Sequence, residues 1–360
     1  MQLKMKKKGW IFLGVIALLI RWIFSFSPQL TESLYSRGLF LGIRWCIDYM
    51  LAWLPVPLIY LFVLSIGSLI IWKTWTFFKW KASWRLKLRS GLMSLLAFLG
   101  GGIFFFLFLW GYNYSRVPIE DQLSIDPEPL TMEELWEELQ LETRHITKLR
   151  NDIDGAGEKP LDDSYMPPEM ERLLRKSVER WLKEYGFPTV GRVRGRFVYP
   201  KGIFLHFSSS GLYFPFTGEG HVDAGLHPLQ QPYVMAHELC HGYGFGDEGT
   251  CNFLAYLSCL DAEDPFVQYA VHLAYWRTLA SNYLRYDAEK YRAFRAELPA
   301  GIQADLDAIN ENLRQYPDIM PRFRYYAYDA YLKAQGIKEG MKNYSRVIML
   351  VRAWRESKRI

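Results

Sequence analysis

Two long stretches of the chain contain no charged residue. They cover residues 49–72 and 90–115 and are 24 and 26 residues long. The hydrocarbon core of a bilayer is about 30 Å thick, and an α-helix of roughly 20 apolar residues crosses it. Both stretches therefore predict transmembrane helices, at about residues 52–72 and 91–112, and the fold must include a membrane part.

A third apolar segment precedes them at about residues 9–27 and is interrupted by Arg21. We expect it to form the first transmembrane helix. A cleaved signal peptide is the alternative, because residues 6–8 are lysines and residues 25–27 read Ser-Phe-Ser. Pro28 directly after that site argues against cleavage.

The charge of the chain changes after the apolar segments. Residues 1–111 carry 13 Lys and Arg against two acidic residues, a net charge of +11, whereas the remainder has 30 basic and 36 acidic residues, a net charge of −6. The basic residues concentrate in the N-terminal tail (Lys4, Lys6, Lys7 and Lys8) and in residues 73–89, and such residues resist translocation. We therefore expect a multi-pass protein of the cell membrane, with the N-terminus in the cytoplasm and residues 112–360 outside it. Because the basic residues lie among apolar runs, they indicate the lipid bilayer as partner and no nucleic acid.

The remaining residues, 112–360, are sufficient for a globular domain. Apolar residues at helical spacing predict helices at about 131–153 and 167–186, and again from Pro232 to the end of the chain with several breaks. Between residues 193 and 222 the spacing changes and predicts short strands. The predicted fold class is mainly α with a small β-sheet, an α+β domain that follows three transmembrane helices, and the motif described next makes it zincin-like.

Residues 237–241 read His-Glu-Leu-Cys-His, a pattern typical of zinc hydrolases. His237 and His241 are four residues apart, so both imidazoles lie on one face of a helix and can bind the same tetrahedral Zn²⁺. Glu238 lies beside that face, where its carboxylate can act as the general base for a zinc-bound water. Because the pattern also occurs by chance, the neighbouring residues must decide whether it marks a zinc site.

Two adjacent carboxylates can supply a third metal ligand. Asp247 completes a spacing similar to that of metzincins. Glu248 begins an ExxxN step that resembles the ExxxD step of glutamate-type zincins, and Asn252 then lies on the same helical face, where its amide can orient a ligand. Asp247 also fits as the N-cap of the second helix. We favour Glu248, because the cap accounts for Asp247 without a metal, and we keep Asp247 as the alternative.

Four further segments carry a resemblance to a known family: residues 110–116 at the exit of the last predicted span, residues 210–223 before the motif, and residues 252–257 and 331–333 after it. With these segments the chain resembles the DUF3810 family of bacterial multi-pass membrane proteins, which is similar to membrane-anchored zinc metallopeptidases of the gluzincin kind. The resemblance implies three amino-terminal spans and a zinc centre, and it implies no particular substrate. Thr250 and Cys251 stand where the family pattern has glutamate and alanine, so Glu248 is the position that matches a glutamate ligand.

Several residues near the motif are candidates for contacting a substrate. A peptidase needs a group besides zinc that stabilises the oxyanion, and Tyr213, Tyr243 and Tyr331 are available for this role. Phe214 belongs to a predicted strand at residues 212–217, which can pair with an extended substrate backbone. Glu219 is a further candidate for contacting the substrate or a metal ligand.

These observations predict a membrane-anchored zinc metallopeptidase that hydrolyses a peptide or protein substrate. The alternative is a membrane-tethered peptide-binding or scaffolding protein with a non-catalytic zinc site. The presence of Glu238 favours the hydrolase, because a structural zinc site usually closes with four protein ligands and does not use such a carboxylate. The sequence predicts neither the cleavage specificity nor the oligomeric state.

Overall fold

The computed structural model describes residues 7–51 and 53–358. Lys4 and Lys6 of the predicted basic tail lie outside the described residues, as does residue 52, the predicted start of the second span. The chain forms two compact units. The first comprises the described residues up to Val117 with Val190–Arg192 and Phe214–Gly218, and the second comprises Pro118–Thr189, Val193–Tyr213 and the described residues from Glu219 onward.

The boundary between the units lies near Val117 rather than at residue 111, where the sequence placed it. The chain after the last long helix continues as a 3₁₀ segment, and its Tyr112 hydroxyl donates a hydrogen bond to the backbone oxygen of Ala17 at 3.1 Å. This contact ties the segment to the membrane helices.

The first unit is helical. Its helices are α1 (Lys7–Ser25), α2 (Pro28–Leu30), α3 (Phe40–Leu51), α4 (Leu58–Lys79) and α5 (Trp84–Leu109), with a π-helical segment at Thr31–Leu39 and a 3₁₀ segment at Gly111–Ser115. Among the described residues, α1, α4 and α5 are the three helices that are long and apolar enough to cross a membrane. The three apolar helices that the sequence predicts are therefore confirmed.

The bounds of the second predicted span, residues 52–72, are wrong. The helix α4 begins at Leu58 because the prolines at positions 55 and 57 interrupt regular helix before it. It continues past Lys73 to Lys79, and the ammonium groups of both lysines lie over neighbouring tryptophan rings. A helix need not end where charged residues begin, because lysine is a good helix former.

The connection between α1 and α4 is almost entirely helical. Its charged residues pair inside the first unit. Glu32 binds Arg116 at 2.6 Å, and Arg44 binds Asp48 at 3.0 Å with both side chains buried. Because these charges have partners, they do not force the segment into water.

The helices α1 and α5 run side by side in the same direction. Near their starts, the Lys7 ammonium donates a hydrogen bond to the Ser90 hydroxyl at 3.0 Å. Further along, a Cβ on Gly14 would lie only 2.7 Å from the Cα of Gly100, so the two backbones are in contact at these glycines. In a chain that crosses a membrane three times, the first and third helices run in the same direction and the second runs in the opposite direction. The parallel directions of α1 and α5 agree with this arrangement.

The second unit is mainly helical, as predicted. Its helices are α6 (Ile119–Leu123), α7 (Met132–Asn151), α8 (Met170–Glu184), α9 (Gln231–Gly242), α10 (Glu248–Cys259), α11 (Pro265–Tyr283), α12 (Ala288–Ala296), α13 (Ala300–Arg314), α14 (Pro321–Ala334) and α15 (Val347–Ser357), with 3₁₀ segments at Asp163–Tyr165, Leu205–Phe207, Pro228–Gln230 and Gly340–Arg346. The side chains of Thr131 and Glu134 form a capping box that begins α7 where the sequence predicted a helix.

The predicted small sheet is also confirmed. It contains β1 (Arg194–Val198), β2 (Gly211–Phe214) and β3 (Glu219–Asp223) in the order β1-β3-β2. β1 and β3 are parallel and pair Arg194 with Glu219. β2 therefore lies at an edge of this sheet, and it ends at Phe214, before the predicted end at residue 217.

The helix α10 lies in the centre of the second unit. All of its residues are buried, and apolar residues of α7, α8, α9, α11 and α15 complete the surrounding core. A helix that is enclosed on every side has no polar face, which explains the apolar character of its sequence after Asn252. The side chains at its start are therefore held in a rigid environment.

Candidate metal centre

The predicted metal motif lies on α9. Pro232 is in the first turn of this helix, where a missing N–H is tolerated. His237 and His241 are both buried, and their Nε2 atoms are 3.0 Å apart. The two imidazoles thus meet at one point, as the i, i+4 spacing requires.

Glu248 reaches the same point from the first turn of α10. The chain reverses between the two helices at Gly244, whose φ of +89° strongly favours glycine. Glu248 Oε2 lies 3.1 Å from His237 Nε2 and 3.4 Å from His241 Nε2. Ligand atoms at 2.0–2.1 Å from a tetrahedral Zn²⁺ are about 3.3 Å from one another. The three atoms therefore have the spacing of one face of a zinc tetrahedron, and two imidazoles with a carboxylate are a donor set that suits this metal.

Each imidazole is oriented by a hydrogen bond from its other nitrogen. His237 Nδ1 donates to Asn252 Oδ1 at 2.8 Å, and His241 Nδ1 donates to the backbone oxygen of Phe245 at 2.8 Å. These acceptors place the ring proton on Nδ1 and leave Nε2 available as a ligand atom. The sequence predicted this role for Asn252, whereas nothing in the sequence indicates that the Phe245 carbonyl would orient His241.

The Glu248 carboxylate also has a partner on its other oxygen. The Tyr328 hydroxyl donates to Oε1 at 3.0 Å, and the Tyr344 hydroxyl lies 3.2 Å from that of Tyr328. Although burial opposes ionisation, the charge of His241 and hydrogen bonds from both imidazoles hold the pKa of Glu248 well below its usual value. This carboxyl group is therefore ionised, and an anionic carboxylate is a group that could bind a metal.

Glu238 is buried beside the three converging groups. The backbone N–H of Tyr213 donates a hydrogen bond to its carboxylate, while its buried Oε2 atom has no hydrogen-bond partner within the described part of the chain. Burial, opposed by His241 and reinforced by Glu248, raises the pKa of Glu238 to about 8. A raised pKa makes the ionised carboxylate a stronger base, and its unused oxygen can then accept a proton from a neighbouring water.

Asp247, the alternative third ligand, is engaged at the start of α10. Its Oδ1 accepts hydrogen bonds from the backbone N–H of Thr250 at 2.7 Å and from the Thr250 hydroxyl at 2.8 Å, which makes it the N-cap. Asn343 and Arg346 also bind this carboxylate. The structure thus brings Glu248, and not Asp247, into contact with the two imidazoles.

Two of the predicted substrate-contacting residues lie near the converging groups. Tyr213 holds Glu238 through its backbone N–H, and its ring centroid is 6.4 Å from that of His241. Tyr331 stacks on Tyr328, with ring centroids 5.8 Å apart, and is therefore next to the tyrosine that binds Glu248.

Three other predicted residues are held by different partners. Glu219 is fully buried, and its carboxylate lies 3.6 Å from the guanidinium groups of Arg194 and Arg196. The Tyr243 hydroxyl donates to Glu179 at 2.7 Å. Phe214 belongs to the first unit, where its ring packs on Phe62 with centroids 4.9 Å apart. The structure does not group these three side chains with the metal-binding residues, because ion pairing, hydrogen bonding and packing occupy them.

Tyr328 and Tyr344 are missed by the sequence reasoning. Tyr328 lies in a tyrosine-rich stretch of α14, from which the sequence singled out Tyr331 instead. Helical spacing alone does not tell which of several tyrosine hydroxyls faces a carboxylate on another helix. Tyr344 lies in a 3₁₀ segment and has no pattern that would indicate its position.

A second group in the described chain, formed by Glu142, His145 and His272, has ligand atoms close enough to hold a metal. Here the Glu142 carboxylate already binds the His272 imidazole at 2.6 Å and the Arg355 guanidinium at 2.9 Å. A guanidinium at this distance repels a divalent cation. This group is therefore best described as a buried ion-pair network, and the residues on α9 and α10 are the candidate metal centre.

The model of the DUF3810 family, described as a protein of unknown function, matches residues 35–352. The chain belongs to the DUF3810 family. The matched range includes α4, α5 and all residues of the metal centre, so the family resemblance in the sequence is confirmed. No curated protein and no solved structure matches this DUF3810 chain.

Proposed function

We propose that this DUF3810 protein is a membrane-anchored zinc metallopeptidase. The observation that supports the proposal most directly is the convergence of His237, His241 and Glu248 beside the Glu238 carboxylate. A structural zinc site usually has four protein ligands. In the described chain three side chains converge, and the adjacent Glu238 has an unused oxygen, as a catalytic site requires.

In this proposal His237, His241 and Glu248 hold the Zn²⁺. When bound, Zn²⁺ lowers the pKa of a water toward 7 and polarises the carbonyl of a peptide bond. Glu238 accepts the proton of the attacking water on Oε2 and later donates it to the nitrogen of the leaving amine. The Tyr213 N–H holds the carboxylate of this base in place during both transfers.

The edge strand β2 supplies the surface on which a substrate backbone can bind. A Cβ on Gly211 would lie 2.5 Å from Glu238 Oε1, so this strand passes directly beside the proposed base. An extended peptide that pairs with an edge strand gains affinity from main-chain hydrogen bonds. Such binding places peptide carbonyl groups next to Glu238 and demands few particular side chains.

The membrane helices support an anchoring role for the first unit. We place the starts of α1 and α5 in the cytoplasm, because basic residues concentrate there, and the second unit outside. A C-terminal alkaline phosphatase fusion should then be active, and a C-terminal green fluorescent protein fusion should be dark. The reverse pattern contradicts this orientation.

The peptidase proposal is tested with the full chain purified in detergent. Bound zinc is measured by mass spectrometry, and cleavage is measured with fluorescein-labelled casein. We expect Glu248→Ala to lose zinc, whereas Glu238→Gln should keep zinc and lose about 10²-fold or more in turnover, because it removes the general base.

Asp247→Asn is the matched control, because this residue adjoins Glu248 but caps a helix instead of contacting the imidazoles. It should retain zinc and turnover. If Glu238→Gln cleaves casein as fast as the parent, the catalytic role is excluded and a tethered binding protein with a non-catalytic zinc site becomes the better description.

A further inference from the structure

A cavity of about 360 Å³ lies in the second unit, between the first turn of α9, the first half of α10 and the helix α11. Its wall includes Asn252 and Ser210. Asn252 orients the ligand His237, and Ser210 directly precedes the edge strand β2. The cavity therefore lies on the Asn252 side of His237 and next to the strand on which we place the substrate backbone. Its volume suits one or two amino-acid side chains.

The wall of this cavity combines apolar side chains with polar and positively charged ones. Arg277 of α11 and Arg285 line it together with serine, threonine, asparagine and glutamine side chains. None of the lining residues, all of which belong to the described chain, carries a carboxylate. An anion is the kind of group that such a wall attracts.

The described side chains around Arg277 leave its positive charge unpaired. Within residues 7–51 and 53–358, its guanidinium makes no hydrogen bond or ion pair. Arg277 is half-buried in this wall, and desolvation lowers the pKa of Arg277 below its usual value. Arginine nevertheless stays protonated in proteins.

Gln230 gives a second, independent observation in the same cavity. Its Oε1 atom is buried and lacks a hydrogen-bond partner among the residues that the structure describes. The wall thus contains a buried acceptor without a partner in addition to the guanidinium of Arg277. A carboxylate of a peptide is the group that accepts hydrogen bonds from a guanidinium.

We propose that this cavity is a substrate subsite in which Arg277 binds a carboxylate of the peptide, either an Asp or Glu side chain or a free C-terminus. The substrates of the metal centre are accordingly peptides with an acidic group close to the bond that is cut. The inference rests on the proposed function, since it assigns the cavity to the substrate of that site.

The test measures binding, so that it does not depend on turnover. The full-length Glu238→Gln variant is loaded with zinc and titrated into fluorescein-labelled octapeptides of alanine, serine and leucine. One peptide is neutral and amidated, a second carries one central glutamate in place of glutamine, and a third is neutral with a free C-terminus. Fluorescence anisotropy should show that the second or the third peptide binds about 10- to 100-fold more tightly than the first, and which of them does so identifies the source of the carboxylate.

Substitution of Arg277 decides whether the cavity causes this preference. Arg277→Gln should abolish the difference between the peptides, Arg277→Lys should keep part of it, and Arg277→Glu should favour a peptide with one lysine. Arg314→Gln, at an exposed arginine on α13, is the matched control and should leave the preference unchanged. Bound zinc and the midpoint of thermal unfolding verify that each variant is folded.

The outcomes separate this inference from the proposed function. If no peptide is preferred, or if Arg277→Gln keeps the preference, the carboxylate subsite is refuted even when the parent cleaves casein. If Arg277 determines an acidic preference but the parent cleaves none of the peptides and no casein, the subsite stands and the peptidase proposal fails.

Discussion

Replacing Asn252 by leucine tests whether the orientation of His237 controls metal binding. Asn252 Oδ1 accepts the Nδ1 proton of His237 at 2.8 Å, and both residues are buried. Leucine has a similar volume but no acceptor, so the imidazole N–H loses its partner in a place with little water. A buried donor without a partner costs about 1–3 kcal/mol.

Most of this cost should fall on the metal-bound state. Without metal, His237 can carry its proton on Nε2 instead, where Glu248 Oε2 lies 3.1 Å away and accepts it. With metal, Nε2 is a ligand, so the proton must remain on Nδ1. We therefore expect the affinity for Zn²⁺ to fall about 10- to 100-fold, which corresponds to about 1.4–2.7 kcal/mol.

The affinity is measured by competition with a chelating dye on the full-length protein. Asn252→Asp keeps an acceptor and should bind zinc at least as tightly as the parent. Asn312→Leu is the matched control, because the Asn312 amide donates to the backbone oxygen of Gly225 at 2.8 Å and does not touch the metal ligands. An unchanged zinc affinity in a folded Asn252→Leu protein would refute the reasoning.

Three further changes test the fold around the centre. Glu219→Gln removes the carboxylate charge beside the buried guanidinium of Arg194, so the free energy of unfolding in denaturant should fall by about 3 kcal/mol or more. Burial alone would raise the pKa of Glu142, but hydrogen bonds from two histidines hold it well below its usual value. The unfolded state therefore binds this proton more readily, and stability should fall as the pH drops below about 4.3, by up to about 1.4 kcal/mol per pH unit, with a shallower slope in Glu142→Gln. A Cβ on Gly220 would lie 2.6 Å from the Cβ of Glu238, so Gly220→Ala should cost about 1–3 kcal/mol and slow casein cleavage at unchanged zinc content.

Each of these changes has a matched control. Glu169→Gln breaks an exposed ion pair with Arg172 and should change the free energy of unfolding by less than about 1 kcal/mol. Glu137→Gln alters an exposed position on the same helix as Glu142 and should keep the pH slope of the parent. Gly102→Ala adds a Cβ with no atom within 4 Å and should be tolerated. A control that behaves like its partner variant contradicts the corresponding explanation.

The parts of the molecule that the sequence predicts well are those determined by local spacing. The capping box at Thr131 follows from residues three positions apart, and the meeting of His237 with His241 follows from a single turn of helix. The three apolar spans follow from the length of uncharged runs. In each case the interacting groups are close in sequence, so geometry leaves few alternatives.

The parts that the sequence does not predict depend on contacts between distant segments. Tyr328 reaches Glu248 from 80 positions away, and no spacing rule connects the two. Glu32 likewise pairs with Arg116, which lies 84 positions away in the chain. The pairing of these two charges inside the first unit became visible only in the structure.

The chemistry of the candidate site finally predicts how zinc affects stability. Two buried imidazoles, Glu238 and Glu248 share a small volume, and buried charges cost free energy unless they are compensated. A divalent cation at this point offsets the negative charge of the buried Glu248 carboxylate, so the folded state should bind it and the unfolded state should not. With free zinc at about 1,000 times its dissociation constant, linkage gives about 4 kcal/mol of stabilisation, and the unfolding midpoint should rise with zinc concentration. His241→Ala removes a ligand and should abolish this dependence, whereas an equal rise in the parent and in His241→Ala would mean that zinc acts elsewhere on the protein.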